Sequence, residues 1–438
     1  VPVFYWPWAS FPIDDRRKTG FLYPTMGTSN TGSGLYLSTP YYLNLAPHYD
    51  ATLTPQYIHG RGLLTEVEGR YLSRFGESVL QVGYINDDGD YRDEFPDESG
   101  ERWGLDFHSR ANFGSGWQGY ADYSAVSDND YLSDLNQTLD IGSATHLLRR
   151  GGVRYQDQWQ LFEAYVAGYQ TITDTVADRN KPYEQLPEVI YGANVPMGIF
   201  EVGLESQYTH FDRDNEGLTG LDRAVGQRAR AIPELALPLR TIWGYTRPSV
   251  SLDQTWYELD DYDLGDSSFD RSVPVAELDS GIYLDRKTTL FGDEYNQSLE
   301  PRVYYVYADA DDDQDNIPNF DSGLRSFRFD NLVQPNRFVG GDRVGDANQT
   351  TVALTSRFND MATGVETARF SLGQVFYHED REVTLNGRGG GTEVDSPYAG
   401  EMVLRPLDTL DIRVSGLWDP REKQTEEGRS VLAYHSPD

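Results

Sequence analysis

The sequence of 438 residues contains no cysteine, so neither a disulfide framework nor a thiolate metal site can exist within it. It has no uninterrupted run of about 18 apolar residues, the length at which a membrane-spanning helix becomes a candidate. Basic residues are scarce, since 37 Lys and Arg stand against 70 Asp and Glu, and the net charge is −33. Because a surface of this charge repels a polyanionic backbone, we expect no nucleic-acid partner.

The first residues also lack the features of a secretory signal. Residues 1–8 show no basic segment followed by an apolar core and a small-residue cleavage site. We therefore expect either that a leader was removed or that the chain is an internal fragment of a longer protein.

Aromatic residues are plentiful, although only 38% of the sequence is hydrophobic. There are 30 Tyr, 19 Phe and 8 Trp residues. Acidic disordered chains are poor in aromatic residues, so this composition favours a folded chain. The rings of Tyr and Trp suit a boundary where one end of the side chain meets apolar material and the other end meets water.

Apolar and polar residues alternate with a period of two along most of the chain. Trp103, Leu105 and Phe107 alternate with Asp106 and His108, for example. The same alternation recurs at residues 117–125, 200–208, 299–307 and 410–418. A period of two places each set on one face of a β-strand. Runs of about 9–11 residues match a tilted bilayer crossing, whereas strands of soluble proteins average about 5–6 residues.

The connections and the polar faces favour a membrane barrel over a soluble sandwich. Charged residues such as Glu66, Glu68 and Arg70 recur on the polar faces, which suits a water-filled interior. Long acidic segments and short turns alternate at residues 75–77, 86–100, 113–116, 258–271 and 309–319. We predict an all-β fold, a large antiparallel transmembrane β-barrel with about 20 strands in this chain.

No motif in the sequence points to a catalytic or metal centre. Asp309, Asp311 and Asp313 have the spacing of a calcium loop, but Gln314 and Phe320 stand where an EF-hand needs Gly and Glu. The seven histidines are scattered, without a metal-binding or nucleophile motif. We expect no enzyme activity, no cofactor and no metal site, and we interpret the acidic segment as a solvated loop.

Two prolines interrupt the strand pattern near the beginning of the chain. Pro24 follows a short apolar run, and Pro40 lies within an apparent strand at residues 34–44. Proline has no amide hydrogen, so it weakens a β-ladder or marks its edge. The two prolines predict either strand ends in an ordinary barrel or a seam that opens sideways. From the residues alone, both interpretations stand.

Residues 3–24, VFYWPWASFPIDDRRKTGFLYP, resemble the junction between periplasmic jelly roll and first barrel strand in the LPS-assembly protein LptD family. The stretches YYLNLAPHYDATLTPQYIH (41–59), RYLSR (70–74) and Arg102-Trp103 follow in that family's order. LEPR at 299–302 and GGDRVGDANQTTVALTSR at 340–357 are similar to its mid-barrel motifs. The resemblance covers nearly the whole chain, and motifs of this length in this order are highly specific.

The resemblance implies a protein of the Gram-negative outer membrane that inserts lipopolysaccharide into the outer leaflet. The family's barrel opens between its first and last strands. Pro24 and Pro40 match the two gate prolines of the family, and Phe21, Leu22 and Tyr23 adjoin the first of them. The implied partners are lipopolysaccharide, an LptE-type lipoprotein that plugs the lumen, and a periplasmic LptA-type bridge.

For a protein with this function, the chemistry of the residues before the gate predicts roles for them. The aromatic side chains expected to guide acyl chains at the junction are Phe4, Tyr5, Trp6, Trp8 and Phe11. Arg16, Arg17 and Lys18 are expected to contact lipid phosphates, because Arg binds phosphate in bidentate fashion. A basic periplasmic turn is the alternative. Residues 1–15 would end the jelly roll and residues 16–438 would form the barrel, with most of the jelly roll and the last strands missing from this chain.

Two other functions share parts of this pattern. A general diffusion porin would show the same alternation but would conduct without a plug partner and would need no lateral seam. A soluble or surface β-rich adhesin would be extracted into buffer without detergent. Bilayer conductance and fractionation, respectively, separate these alternatives from a lipopolysaccharide translocon.

Overall fold

The structure is a computed structural model that describes residues 17–28, 35–135, 145–262, 264–290 and 292–436. The fold is all-β with antiparallel pairing, as the sequence predicts. Within these residues, no helix is both long and apolar enough to cross a membrane.

The strands are numbered in chain order. Strands β1 to β13 are Gly20–Phe21, Thr25–Thr28, Leu35–Ser38, Tyr41–Ala46, Tyr49–Ile58, Gly62–Leu72, Gly76–Ile85, Arg102–Gly114, Trp117–Val126, His146–Gln156, Gln160–Thr171, Glu184–Met197 and Phe200–Asp212. Strands β14 to β26 are Val225–Ala236, Leu239–Thr241, Gly244–Asp260, Ser268–Ile282, Leu284–Leu290, Asp293–Ala308, Gly323–Leu324, Phe338–Val339, Ala347–Asp360, Glu366–Tyr377, Tyr398–Leu407, Leu410–Asp419 and Gln424–Tyr434. The helices are α1 (Gly89–Glu94) and α2 (Tyr131–Leu135), with short 3-10 turns at Asp178–Asn180, Gly220–Arg223, Asp312–Asn316 and Phe329–Asn331.

The chain forms two compact units. Unit 1 comprises Val1–Ile190 and Thr209–Asn215, and unit 2 comprises Tyr191–Tyr208 and Glu216–Asp438. In unit 1, β1 pairs with β4 and β2 pairs with β3, both β3 and β4 pair with β5, and the ladder continues in chain order from β5 to β11. In unit 2 the ladder runs from β14 through β16, β17, β19 and β22 to β26, while β20 and β21 form a separate pair.

The described residues contain 26 strands, more than the roughly 20 expected from a pitch of about 20 residues per strand and connection. Part of the difference comes from prolines and bulges that divide a single ladder position into two short strands. β3 and β4 illustrate this, because both pair with β5 in one continuous register and only Thr39 and Pro40 separate them.

The connections differ from the expectation in two places. One is the segment predicted as a loop at residues 309–319, which is the first part of a longer connection between Ala308 and Ala347. The short turns predicted at residues 75–77 and 113–116 and the long connection at residues 86–100 are present. The predicted loop at residues 258–271 is shorter than expected, because β16 continues to Asp260 and β17 begins at Ser268. The stacked rings of Tyr257 and Phe269, 5.1 Å apart, favour pairing at this end of the two strands.

The buried cores are small and lie under the long connections. In unit 1 one cluster of buried apolar side chains comprises Ile58, Leu64, Ile85, Val126, Tyr131, Leu135, Leu147 and Ile172. Arg102 lies beside this cluster with 1% of its side chain exposed, and it binds Asp88, Asp128 and Asp134 at 2.7–3.0 Å. These carboxylates come from the connections that carry α1 and α2, so one guanidinium holds both connections against the sheet.

Candidate functional site

Each unit exposes one face of its sheet that is apolar. In unit 2, Leu252 and Trp256 of β16 are 38% and 48% exposed, while Asp253 between them is buried on the opposite face. Leu354 and Leu372 face each other across β22 and β23 and are 44% and 52% exposed. An exposed aliphatic side chain forgoes about 1.5–3 kcal/mol of burial free energy in water. A continuous face of this kind suits contact with lipid acyl chains.

The opposite face carries ion pairs between neighbouring strands. The pairs are Arg70–Asp50, Arg110–Asp122 and Arg150–Glu163 in unit 1, and Arg230–Asp253, Arg302–Asp279, Arg357–Glu300 and Arg369–Glu401 in unit 2. Partly exposed pairs contribute only about 0–1 kcal/mol each, so they are weak sources of stability. Their recurrence instead marks this face as one that contacts water and polar molecules.

Aromatic side chains lie at both ends of the apolar face of β8. Trp103 begins this face and packs beside Tyr84, whereas Phe113 ends it and contacts Phe75 with ring centroids 5.3 Å apart. The ten residue steps between Trp103 and Phe113 span roughly 33 Å along a strand, or about 25 Å at the tilt of membrane barrel strands. This height matches the apolar band of outer-membrane barrels, which aromatic girdles flank.

A long connection lies on the polar face of unit 2. It joins β19 to β22 and places Asp342 against the side chains of the sheet, where Nη1 of Arg228 donates to its carboxylate at 2.7 Å. Arg228 also pairs with Asp321 at 2.6 Å, and its side chain is fully buried. Nη1 of Arg271 donates to the carbonyl of Asp342 at 2.9 Å. Gly341 packs against the Arg228 guanidinium so closely that a Cβ there would collide with it.

The two carboxylates of this connection share one guanidinium and differ in their pKa. Burial raises the pKa of Asp321, but Arg228 opposes this effect and leaves the pKa at about 2. Burial raises the pKa of Asp342 above its usual range, although Arg228 favours its charged form. Removal of the guanidinium would therefore leave two buried acids without their cation.

The predicted gate residues come together at the first hairpin. Phe21 ends β1, Pro24 directly precedes β2, and Pro40 directly precedes β4. Leu22 and Tyr23 occupy the gap between β1 and β2, and Tyr23 is 77% exposed. Within the described part of unit 1, β1 and β2 have strand partners on one side only.

Pro24 lies in a bulge of this hairpin. The register pairs Phe21 with Tyr41 and Thr25 with Ser38. The three residues from Leu22 to Pro24 therefore oppose only two, Thr39 and Pro40. One residue is left over on the first strand, and an extra residue of this kind disrupts the local ladder and bends the strand.

Pro40 and a third proline, Pro55, each remove one ladder hydrogen bond. The amide of Leu22 donates to the carbonyl of Pro40 at 2.9 Å, but Pro40 has no amide hydrogen to return the bond. The amide of Thr39 donates to the carbonyl of Pro55 at 3.1 Å, and the reciprocal bond is again missing. We call Pro24, Pro40 and Pro55 the proline track, since they lie in three successive strand positions of unit 1.

One of the basic residues before the first strand, Arg17, is anchored to the sheet. Nη1 of Arg17 donates to Asp50 at 3.0 Å, and Asp50 also accepts from Arg70 at 2.8 Å and from Tyr42 at 2.8 Å. Lys18 is exposed. The contact of Arg17 and Lys18 with lipid phosphates stays a prediction. The other predicted residues outside the gate lie outside the described residues; they are Phe4, Tyr5, Trp6, Trp8, Phe11 and Arg16.

The sequence prediction missed Pro55 and the role of the mid-chain motifs. Pro55 stands inside the alternating run of β5, so the signal that identified Pro40 also applies to it. Glu300 and Arg357, which belong to the two mid-chain motifs, form an ion pair at 3.1 Å. Their pairing depends on β19 lying beside β22, which no local pattern specifies.

Comparison with known proteins gives one consistent family. A family model described as "LPS transport system D" matches residues 100–438, and one described as "LptD protein" matches residues 1–118. Proteins named "LPS-assembly protein LptD" from Marinobacter nauticus and Hahella chejuensis are 67% and 51% identical over all of this chain, and one from Pseudomonas aeruginosa is 37% identical. The chain spans 55% of the length of the first two relatives and 52% of the third.

Proposed function

Since the chain belongs to the LPS-assembly protein LptD family, we propose that it is part of an outer-membrane translocon that inserts lipopolysaccharide into the outer leaflet. The observation that carries this proposal is the proline track at the first hairpin. It supplies a weak joint beside a strand that has partners on one side only, and a lipid needs such a joint to leave a barrel wall sideways.

The two faces of the sheet support a membrane location. The exposed apolar face suits acyl chains, and the ion-paired face suits water and sugars. Lipopolysaccharide has both an acyl part and a phosphorylated sugar part, so a single aqueous pore would not suit it. In our proposal the sugars follow the polar face, while the acyl chains leave through the first hairpin. An acyl path is favoured by about 0.8 kcal/mol per buried CH₂.

The hairpin is proposed to open in two halves. β1 with β4 forms one half and β2 with β3 forms the other. The residues between the halves include the bulge at Pro24 and the incomplete pair at Pro40, so this is where bending disrupts the fewest hydrogen bonds. Phe21, Leu22 and Tyr23 would then line the opening.

The proposed partners follow from the family. An LptE-type lipoprotein would lie against the polar face, and an LptA-type bridge would deliver lipopolysaccharide from the periplasm through a jelly roll. The aromatic residues of the junction would guide acyl chains, and Arg17 and Lys18 would adjoin the phosphates. The described residues contain no nucleotide-binding motif that would supply energy, so we propose that energy comes from elsewhere in the machine.

A charge on the apolar face tests whether this face crosses a membrane. We expect Phe107→Lys to destabilise the folded protein in lipid by about 2–4 kcal/mol, the cost of Lys near the middle of a bilayer on a lipid-facing strand. Phe107 lies between the two aromatic ends of β8. The measurement is urea unfolding of the full-length protein in bilayers, with the amount recovered in the outer-membrane fraction.

Val79→Lys is the matched control, because Val79 lies on the polar face of the neighbouring strand, opposite His108. A lysine there meets water and the carboxylates of Asp106 and Asp122, so we expect a change below about 0.5 kcal/mol. Equal effects of the two variants would contradict a lipid-facing surface at Phe107.

A further inference from the structure

A cavity of about 370 Å³ lies on the polar face of β24, β25 and β26 in unit 2. Residues 328–330 of the long connection form one wall, and the strands form the others. The volume lies within the range of about 300–1,000 Å³ that is usual for small-molecule sites. Four arginines line the cavity: Arg328, Arg405, Arg413 and Arg429.

Two of these arginines have side chains without a partner in the part of the chain that the structure describes. Arg413 and Arg429 project from the same face, since Arg413 pairs with Val431 and Ser415 pairs with Arg429 in the register of β25 and β26. They are diagonal neighbours, about 7–8 Å apart at Cα. Within the described residues neither guanidinium forms a hydrogen bond or an ion pair. Two adjacent like charges without a counter-charge repel each other.

The unpaired guanidinium of Arg413 differs from the other arginines at the same level of the neighbouring strands. Arg357, Arg369, Val403 and Arg413 succeed one another across four neighbouring strands. Arg357 binds Glu300 at 3.1 Å, and Arg369 binds Glu401 at 2.9 Å. The sheet therefore neutralises its arginines from the neighbouring strand until the row reaches Arg413.

The acidic residues that line the cavity do not neutralise the charges of Arg413 and Arg429. Glu401 is bound by Arg369, and Asp411 is bound by Arg405 at 3.1 Å. Asp330 is the third acidic residue that lines the cavity, and Arg328 pairs with Glu427 at 3.7 Å. In a chain with a net charge of −33, Arg413 and Arg429 are therefore the lining arginines without a carboxylate partner among the described residues.

The geometry points to a site for a phosphate group at Arg413 and Arg429. Guanidinium groups bind phosphate with two parallel hydrogen bonds, which fix its orientation as well as its charge. Phe329, Val403 and Val431 add an apolar wall, so the group that carries the phosphate can also make apolar contacts. The phosphate would come either from the sugar head of a glycolipid or from free phosphate. The glycolipid as a source rests on the proposed function, whereas the phosphate site itself does not.

The test is titration of the full-length protein in detergent with three probes. These are diphosphorylated lipid A, its dephosphorylated form and inorganic phosphate. We expect Arg413→Gln with Arg429→Gln to weaken lipid A binding by about tenfold or more, because at least one charge-assisted hydrogen bond pair is lost. Both side chains are exposed, so the variant is expected to fold, and heat-modifiable gel mobility checks this.

Arg240→Gln with Arg286→Gln is the charge-matched control, because both side chains are exposed and lie outside the cavity. It should retain binding. Lipid A binding far above that of inorganic phosphate would identify the glycolipid as the source, and equal occupancy would identify free phosphate. Lipid A binding that is unchanged in the cavity variant, or equal for the dephosphorylated form, would overturn the site. So would capture of an acidic polypeptide by the two arginines without any phosphate binding. These outcomes are independent of delivery assays, which test the proposed function.

Discussion

Replacing Pro40 and Pro55 together with threonine is expected to slow delivery of newly made lipopolysaccharide to the cell surface by roughly fivefold to a hundredfold. Each new amide can return a hydrogen bond that is now missing, from residue 40 to the carbonyl of Leu22 and from residue 55 to that of Thr39. Each bond contributes about 0.5–1.5 kcal/mol, so two of them stabilise the closed hairpin by about 1–3 kcal/mol. The population of the open state falls by the factor to which this free-energy difference corresponds, about tenfold for each 1.4 kcal/mol.

The measurement is surface labelling of lipopolysaccharide after a pulse of synthesis. Pro248→Thr is the matched control, because the carbonyl of Pro248 accepts from the amide of Leu237 at 2.9 Å in the same arrangement, but in unit 2. This control also carries the effect that replacing a proline has on the conformational entropy of the unfolded chain. Pro24→Thr alone should have a smaller effect than Pro40→Thr, because the bulge leaves residue 24 without an opposing carbonyl in register.

Normal delivery in the double variant would exclude the proline track as a gate. If depletion of the whole protein still stopped delivery in the same cells, the translocon function would remain and only the exit would have to be placed elsewhere. If depletion had no effect on surface lipopolysaccharide, the proposed function itself would be wrong.

Replacing Arg228 with methionine is expected to destabilise unit 2 by about 3–5 kcal/mol, the cost of removing one partner from a buried ion pair. Asp342 is fully buried and accepts from the amide of Phe320 at 2.8 Å as well as from Arg228. Without the guanidinium, the buried Asp342 and the partly buried Asp321 are left as uncompensated acids. We expect the connection between β19 and β22 to leave the polar face before the strands separate.

Limited trypsin digestion measures this release, because Arg325 and Arg337 lie within the connection and become accessible when it detaches. Arg286→Met is the control, since Arg286 is exposed and its guanidinium donates to Gln297 at 2.7 Å; we expect a change below about 0.5 kcal/mol. Arg228→Lys should fall between the two, because lysine keeps the charge but loses the planar fork. Unchanged protection of the connection in Arg228→Met would show that apolar packing alone holds it.

The candidate gate was largely predictable from the sequence. A proline inside an alternating run has a missing amide wherever the fold places it, so Pro24 and Pro40 could be identified without coordinates. The sequence did not specify with which neighbouring strand each proline fails to form a hydrogen bond. The carbonyl of Pro40 accepts from Leu22, so the hydrogen bond missing at Pro40 is one to the first strand. The carbonyl of Pro55 accepts from Thr39, so the hydrogen bond missing at Pro55 is one to the second strand.

Alternation by itself determined that the chain forms strands with one apolar and one polar face, because successive side chains point to opposite sides of an extended backbone. Tertiary structure alone decided the contacts between residues far apart in sequence. Arg228 meets Asp342 across 114 positions, and Arg413 lies in line with Arg357 only through the register of four strands. Register and loop docking depend on the summed free energy of pairing along whole strands, so no local pattern encodes which charge finds a partner and which is left for a ligand.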